Sequence, residues 1–195
     1  MRASCLMILA AMIGLIPASP APAAVLAVGV VDFYALRTFA SFSGITPTRF
    51  AADDLSPMLA DASEGRFTVA ERSTMEQAEA QLDWQGGDVL HFERLRALAH
   101  AAKVDRLVVG WITLLVVSVG GGGKKMPPDG NGPPMGMSNL VLQVFDAAQG
   151  RIVSETRASG FAMGAGPSLL QQWVLHRALV PAVAPLVSAL TAPNH

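Results

Sequence analysis

Cysteine is nearly absent from this chain of 195 residues, which contains Cys5 alone. One thiol cannot form an intrachain disulfide, and it cannot supply the thiolates of a cysteine-based zinc site. Cys5 stands at the start of an apolar run, whereas a lipid-modified cysteine follows such a run at the cleavage point. The sequence therefore predicts a protein with no disulfide, no cysteine-ligated metal and no lipid anchor.

Charged residues are also scarce, at 15% of the chain, and the formal net charge is -1. Proteins that hold nucleic acid usually carry a basic excess or a basic stripe, and because neither is present we expect no nucleic-acid partner. Hydrophobic residues make up 51% of the chain, which is enough apolar surface to offset the entropy of ordering it. The length indicates one folded domain.

The first 23 residues have the three parts of a cleavable signal peptide. Arg2 is a minimal positive region, residues 5–16 are apolar, and Ala21 and Ala23 fit an A-x-A cleavage site. The apolar run is shorter than the roughly 20 residues that a membrane-spanning helix needs. We therefore expect residues 24–195 to fold as one domain in the periplasm or outside the cell. A buried N-terminal helix is the alternative interpretation of the same segment.

The first two thirds of the expected mature chain alternate between strand and helix patterns. Residues 24–34 are an apolar, β-branched run, which predicts a central strand buried on both faces. A helix is expected within residues 49–62, and Pro57 favours a start near Asp53 or Asp54 as N-cap. Further elements are expected in this order: a strand at 66–71, a helix from a Ser73/Glu76 capping box to Leu82, a helix at 88–103 and an apolar strand at 105–119.

A loop and a hairpin are predicted next. Glycine and proline dominate residues 120–137, so this segment is expected to be a flexible loop. Residues 138–146 and 151–160 alternate as two paired strands do. The whole order of elements predicts an α/β fold, with α+β as the alternative: a mixed sheet of about five strands with helices packed on it as a layer sandwich.

The last predicted element is an apolar helix that begins at Pro167, with Ser168 and Gln171 as a capping box. Pro181 and Pro185 are expected to bend or divide it. The apolar stretch is shorter than a membrane span, so we expect a core helix and no membrane crossing in the mature chain.

No motif predicts catalysis. A G-x-S-x-G motif is missing, and the acidic residues Asp53, Asp54 and Asp61 occupy positions where helix starts and surfaces place carboxylates in any case. We therefore predict no enzymatic activity and no cofactor. No metal site is expected either, because the four histidines form no HExxH or HxH pair; they are His91, His100, His176 and His195.

The glycine run before Lys124 and Lys125 invites comparison with a phosphate-binding loop. The comparison fails because Ser118 and Lys125 occupy the positions where that motif needs glycine and a hydroxyl side chain. The segment is predicted to be a solvated flexible loop, with a loop that docks a partner protein as the alternative. The residues expected to make this contact are Lys124, Lys125, Met126, Asp129 and Met135.

Several short segments together resemble the amino-terminal domain of TolB and the CsgG and LpoB group of exported bacterial proteins. Their order and spacing match a first strand, an "RF.V..R" strand, a "vvvG" strand and a "D...G.iv" hairpin. The matching residues are Val30, Val31, Asp32 and Phe33; Arg66, Phe67, Thr68, Val69 and Arg72; Val104, Asp105, Val108, Val109 and Gly110; and Asp146, Ala147, Gly150, Arg151, Ile152, Val153, Ser159 and Gly160.

The resemblance implies a non-catalytic role in the cell envelope through binding of envelope proteins. Many members of these families are lipoproteins, whereas this chain has no usable lipobox, and no segment matches the membrane-inserting hairpins of the secretion-pore members. A soluble periplasmic binding module is therefore the leading hypothesis, with an exposed sheet edge or the 120–137 loop as its contact surface. The alternatives are a small-ligand carrier or hydrolase with a site assembled from distant residues, and a subunit of a CsgG-like outer-membrane secretion assembly.

Overall fold

A computed structural model describes residues 25–35, 46–118, 133–164 and 166–192. The predicted signal peptide, most of the predicted loop and the contact residues Lys124, Lys125, Met126 and Asp129 lie outside these ranges. The strands in the described ranges are β1 (Leu26–Val30), β2 (Tyr34–Ala35), β3 (Phe67–Val69), β4 (Arg106–Ser118), β5 (Met135–Asp146) and β6 (Arg151–Met163). The helices are α1 (Pro47–Ala62), α2 (Arg72–Gln81), α3 (Phe92–Ala102) and α4 (Pro167–Thr191), with a 3₁₀ helix at Gly86–Leu90.

The strands form one mixed sheet in the order β3-β1-β4-β5-β6. β1 lies parallel to both β3 and β4, whereas the pairs β4–β5 and β5–β6 are antiparallel. The predicted α/β fold with a mixed sheet and a closing hairpin is confirmed. Six strands are found where about five were expected, because residues 31–33 interrupt the first strand and β2 then pairs separately with β4.

Helices pack on both faces of the sheet and create two hydrophobic cores. α1 and α4 cover one face, and α2 and α3 cover the other. Leu107 and Val108 are neighbours in β4 and are both fully buried, but they belong to opposite cores. Strands buried on both faces read as continuous apolar runs, which is why residues 24–34 and 105–119 were recognisable as central strands.

The sheet has two halves that differ in strand direction. The parallel half consists of β1, β3 and residues 106–108 of β4, which pair with β1. The antiparallel half consists of the rest of β4 with β5 and β6. Both halves carry the core formed with α1 and α4, while the core formed with α2 and α3 lies mainly on the parallel half.

α4 lies directly against the backbone of β5 and β6, over small residues. Ser138 and Gly160 are cross-strand partners, and the Ser138 hydroxyl donates a hydrogen bond to the Val174 carbonyl at 2.7 Å. A Cβ atom at Gly160 would overlap the same Val174 oxygen and crowd the backbone nitrogen of Ala178. Glycine is therefore required at position 160 because helix and strand backbones meet there.

The 25-residue helix α4 is continuous, so the expected division at Pro181 and Pro185 is wrong. Both prolines are exposed, and the carbonyl groups that they leave unbonded can therefore face water. In the part of the chain that the structure describes, α4 is the one helix long and apolar enough to cross a membrane by length and composition. It is longer than the sequence indicated, but its buried side chains belong to the core on the sheet.

Two further helices differ from expectation at their N-termini, α4 in its cap and α1 in its first residue. α4 begins at Pro167 as predicted, but Gly166 is its N-cap and no side chain caps it, so the expected capping box there does not form. α1 begins at Pro47, well before the expected start at Asp53 or Asp54. Proline at the first helical position loses no hydrogen bond. Pro47 therefore marks the start of α1, and Pro57 lies inside the helix.

The predicted capping box of α2 is also wrong. The helix begins at Arg72 after Glu71, so Ser73 already lies inside it. The Glu76 carboxylate is paired with the guanidinium of Arg49 in α1 instead of the helix terminus. An ion pair between two helices therefore replaces the local cap.

A buried ion pair connects the sheet to the last turn of α4. Arg106 in β4 and Asp146 in β5 have side chains only 5% and 3% exposed, and Arg106 Nε lies 3.2 Å from Asp146 Oδ2. The same guanidinium donates hydrogen bonds to three carbonyl oxygens at the end of α4, those of Ala189, Leu190 and Ala192, at 2.8–3.2 Å. A cation is favourable at a helix C-terminus, where the backbone carbonyls carry partial negative charge.

Candidate protein-interaction surface

The antiparallel half of the sheet presents one face to solvent. Four large apolar side chains on this face are each close to half exposed: Val116 (47%), Met137 (45%), Phe161 (50%) and Met163 (49%). Val116, Met137 and Phe161 lie in one row across β4, β5 and β6, and Met163 lies in the next row, opposite Met135. We call this surface, on the side of the sheet away from α4, the open face.

Strand alternation explains why the open face carries these residues. In β5 the even-numbered positions from Gly136 to Val144 are buried against α4, while Met137 and Asn139 are exposed. Antiparallel sheets commonly bury one face and leave the other in water, where polar residues usually stand. Methionine and phenylalanine in place of those polar residues form an exposed apolar patch, the usual mark of an interaction site.

A polar groove adjoins the apolar patch. It encloses about 470 Å³, and Thr113, Asn139, Arg157 and Ser159 supply its polar side chains. Thr113 lies at a bulge between β4 and β5, and its hydroxyl donates to the Asn139 carbonyl at 3.1 Å. The groove is a shallow part of the open face, since Arg157 on its wall is largely exposed.

The charged groups beside the groove hold one another in place. The Gln143 amide donates to one Glu155 carboxylate oxygen at 2.8 Å, and Arg157 Nε donates to the other at 3.1 Å. These two hydrogen bonds hold the pKa of Glu155 below its usual value. The open face therefore combines an apolar end with a charged end along the same strands.

The structure places one of the five predicted contact residues at the apolar end of the open face. Met135 is the first residue of β5, pairs with Ser118 and Met163, and is partly buried. The prediction that residues 135–137 belong to the loop is therefore wrong. Gly136 was misleading because it serves packing in a strand: a Cβ atom added there would lie only 3.1–3.2 Å from side-chain carbons of Val174 and Leu170.

A second cluster of polar residues lies beyond the ends of β1 and β3. Arg72, the first residue of α2, is paired with Asp32 after β1 and with Asp53 of α1, whose Oδ1 lies 3.0 Å from Arg72 Nε. Arg72 Nη1 also donates to the Val30 carbonyl at 3.2 Å. Asp32 after the first strand and Arg72 after the "RF.V" strand both belong to the segments that carry the resemblance, and this ion pair brings them together.

The three acidic residues of α1 have different surroundings. Burial raises the pKa of Asp53, and Arg49 offsets part of the rise. Asp54, the next residue, contacts His176 of α4 instead, with 2.9 Å between its Oδ2 and the imidazole Nδ1. Asp53 and Asp54 therefore connect α1 to different neighbours, and Asp61 is exposed in its last turn.

Sequence reasoning located the strands but missed the open face. The alternation in residues 138–146 and 151–160 predicted half-buried strands, without showing which side would be covered. The sequence signal that could have identified the open face is that Met137, Phe161 and Met163 lie on the same side of the strands as the polar residues Asn139 and Arg157. No group of three or more potential metal ligands is found among the described residues.

No family model matches the chain, and no curated protein matches it. Among solved structures, the chain is similar to lipoprotein GNA1162 from Neisseria meningitidis, with 16% identity and a TM-score of 0.51 over 84% of this chain and 98% of that one. It is also similar to the hypothetical protein CT253 from Chlamydia trachomatis, with 13% identity and a TM-score of 0.51 over 86% and 99%.

The LpoB C-terminal domain from Salmonella enterica matches at 14% identity and a TM-score of 0.42, over 69% of this chain and 82% of that one. At such identities the similarity concerns the fold. The resemblance to TolB and to CsgG stays a prediction. The chain shares an α/β fold with solved bacterial proteins, a lipoprotein among them.

Proposed function

We propose that the chain is a non-catalytic module of the bacterial cell envelope that binds another protein through the open face. The observation that carries this proposal is the row of Val116, Met137 and Phe161 across three strands, with Met163 beside it. Burial of these four side chains would remove apolar surface from water at about 25 cal/mol per Å², and an apolar patch rimmed by polar groups is typical of protein interfaces.

The envelope location rests on two supports. One is the predicted signal peptide within residues 1–23, and the other is the fold similarity to a lipoprotein. The scarcity of charge and the absence of a basic excess also favour a protein partner over nucleic acid. The charged end of the open face, with Glu155 and Arg157, would then fix the orientation of the partner.

The test is capture of envelope proteins by the purified chain and by two aspartate variants. Met137→Asp places a charge in the middle of the open face, and Leu90→Asp places the same charge at another exposed apolar residue, in the 3₁₀ helix. We expect a bound envelope protein to be lost by Met137→Asp and kept by Leu90→Asp. Equal capture by both variants would remove the open face from the proposal.

A further inference from the structure

β6 is a long edge strand whose second side has no strand partner among the described residues. It runs for 13 residues, contains no proline and pairs with β5 on one side. Every second residue of such a strand turns its N–H and C=O groups outward. Phe161 is one of these residues, because Arg177 Nη1 reaches its carbonyl at 3.3 Å. Residues 155, 157 and 159 share its orientation, and a long exposed edge of this kind is a template for pairing with another strand.

An apolar stripe of α4 runs beside this edge. Leu169, Trp173 and Val180 are each about half exposed, and their spacing places them within about 40° of one another around the helix. Arg177, which contacts the Phe161 carbonyl, lies on the same side of α4. The stripe and the outward backbone of β6 therefore form one continuous surface, which we call the edge surface.

The charges on β6 are complementary to a second β6 strand in antiparallel orientation. Glu155 and Arg157 are two residues apart, so their side chains lie on the same face of the strand. If Thr156 of one copy lies opposite Thr156 of another, Glu155 of each copy faces Arg157 of the other. This register also pairs outward-facing residues with outward-facing residues from residue 154 to residue 158, as an antiparallel ladder requires; beyond Ser154 the β-bulge at Val153 shifts the alternation.

We propose that the edge surface binds a second copy of this chain about a two-fold axis through Thr156. Residues 154–158 of the two β6 strands pair and the sheets become continuous. The two stripes lie toward opposite ends of the interface, with Val180 as the stripe residue nearest the axis, because the start of α4 lies beside Gly160 and Phe161. A two-fold interface uses the same patch on both copies, which the opposite charges at positions 155 and 157 satisfy. The proposal does not rest on the proposed function, because it needs the outward backbone of β6 and not the apolar patch of the open face; Glu155 and Arg157 are the side chains that the two surfaces share.

Charge reversal tests the register. We expect the full chain to be a dimer by sedimentation velocity, and we expect Arg157→Glu and Glu155→Arg each to weaken dimerisation at least about tenfold, since each change creates two repulsive cross-strand contacts. A 1:1 mixture of the two variants should restore the dimer, because each acidic pair then faces a basic pair. Within either chain the pair stays like-charged, so restoration cannot come from a contact within one copy.

Substitution in the stripe tests the surface. Val180→Asp should weaken the dimer about tenfold, since Val180 is the stripe residue nearest the axis and a charge there would be removed from water on association, while Met137→Asp on the open face should leave the dimer intact. Circular dichroism confirms that both variants are folded. A wild-type chain that stays monomeric at every concentration measured by sedimentation velocity would overturn the proposal. A dimer that is insensitive to the charge reversals, or a mixture of the two variants that fails to associate, would also overturn the proposal. These measurements of dimerisation do not test partner capture through the open face.

Discussion

The parallel half of the sheet is covered by helices on both faces, whereas the antiparallel half is covered by α4 on one face and is open on the other. The first arrangement leaves little surface for a partner, because β1 and the start of β4 are buried on both sides. The second leaves backbone and apolar side chains accessible on β5 and β6. In this molecule the parallel half serves stability, and the antiparallel half supplies the surfaces on which both proposals rest.

The largest effect is expected where the two halves meet. Arg106→Ala would leave Asp146 buried without its cation and release the carbonyls of Ala189 and Leu190. Removing one partner of a buried ion pair costs about 3–5 kcal/mol. Urea denaturation should show this loss of unfolding free energy in a single transition, because Arg106 connects both halves. Two separate transitions would show that the halves unfold independently.

Gly160→Ala should act mainly on the antiparallel half. The added methyl group would overlap the Val174 carbonyl of α4, and overpacking of this kind costs about 1–3 kcal/mol or more. Hydrogen exchange should show faster exchange in β5, β6 and α4, while β1 and β3 keep their protection. Ala162→Gly, in the same strand, is the control that removes volume instead of adding it. Uniform loss of protection throughout the sheet would contradict the proposed division into halves.

A pair of alanine variants in β5 compares the two faces directly. Leu140 is buried against α4 and Met137 lies on the open face. Leu140→Ala should cost about 2–5 kcal/mol, whereas Met137→Ala should change stability by less than about 0.5 kcal/mol. Thermal unfolding of the two variants measures the difference. Similar losses would mean that the open face is covered in the isolated chain.

The smallest effect is expected at Glu79 in α2, beside the parallel half. Burial raises the pKa of its carboxyl group, and the charge of Arg72 offsets part of the rise. The folded state therefore binds this proton more tightly than the unfolded state, and the resulting stability is lost as the pH rises through the folded-state pKa. Glu79→Gln should be slightly more stable than the wild type near neutral pH and equal to it in acid. A pH series of urea midpoints measures this, and a variant less stable at neutral pH would contradict the assignment.

Most of the fold could be predicted because the strongest patterns coincide with the deepest burial. The runs at 24–34 and 105–119 are mostly apolar, and they contain β1 and β4, which pair with each other in the doubly covered half. Helix starts were less predictable, because Arg72 and Glu76 are held by charges from α1 that are distant in sequence. Local rules for caps do not include contacts between distant segments. Local rules for prolines do not include the exposure of Pro57, Pro181 and Pro185, which all lie inside helices.

The candidate surface was less accessible to sequence reasoning than the fold. Alternation shows that a strand has two different faces, but not whether a helix covers each of them. Gly136 resembled a loop residue and Gly160 was expected at the end of a strand, whereas both allow close packing of α4. The predicted contact residues 124–126 and 129 lie outside the described ranges, so their part in binding stays a prediction.

The contacts of Arg106 also bear on the order in which the molecule can be completed. The carbonyl acceptors of its guanidinium belong to residues 189–192, near the end of α4, while Arg106 itself lies in the middle of the chain. A ribosome that has synthesised the chain only as far as β6 has therefore produced a sheet whose arginine has no helix to bind. The native contacts of this arginine therefore form only once the last turn of α4 is present, and the end of α4 is needed to complete the packing of the sheet.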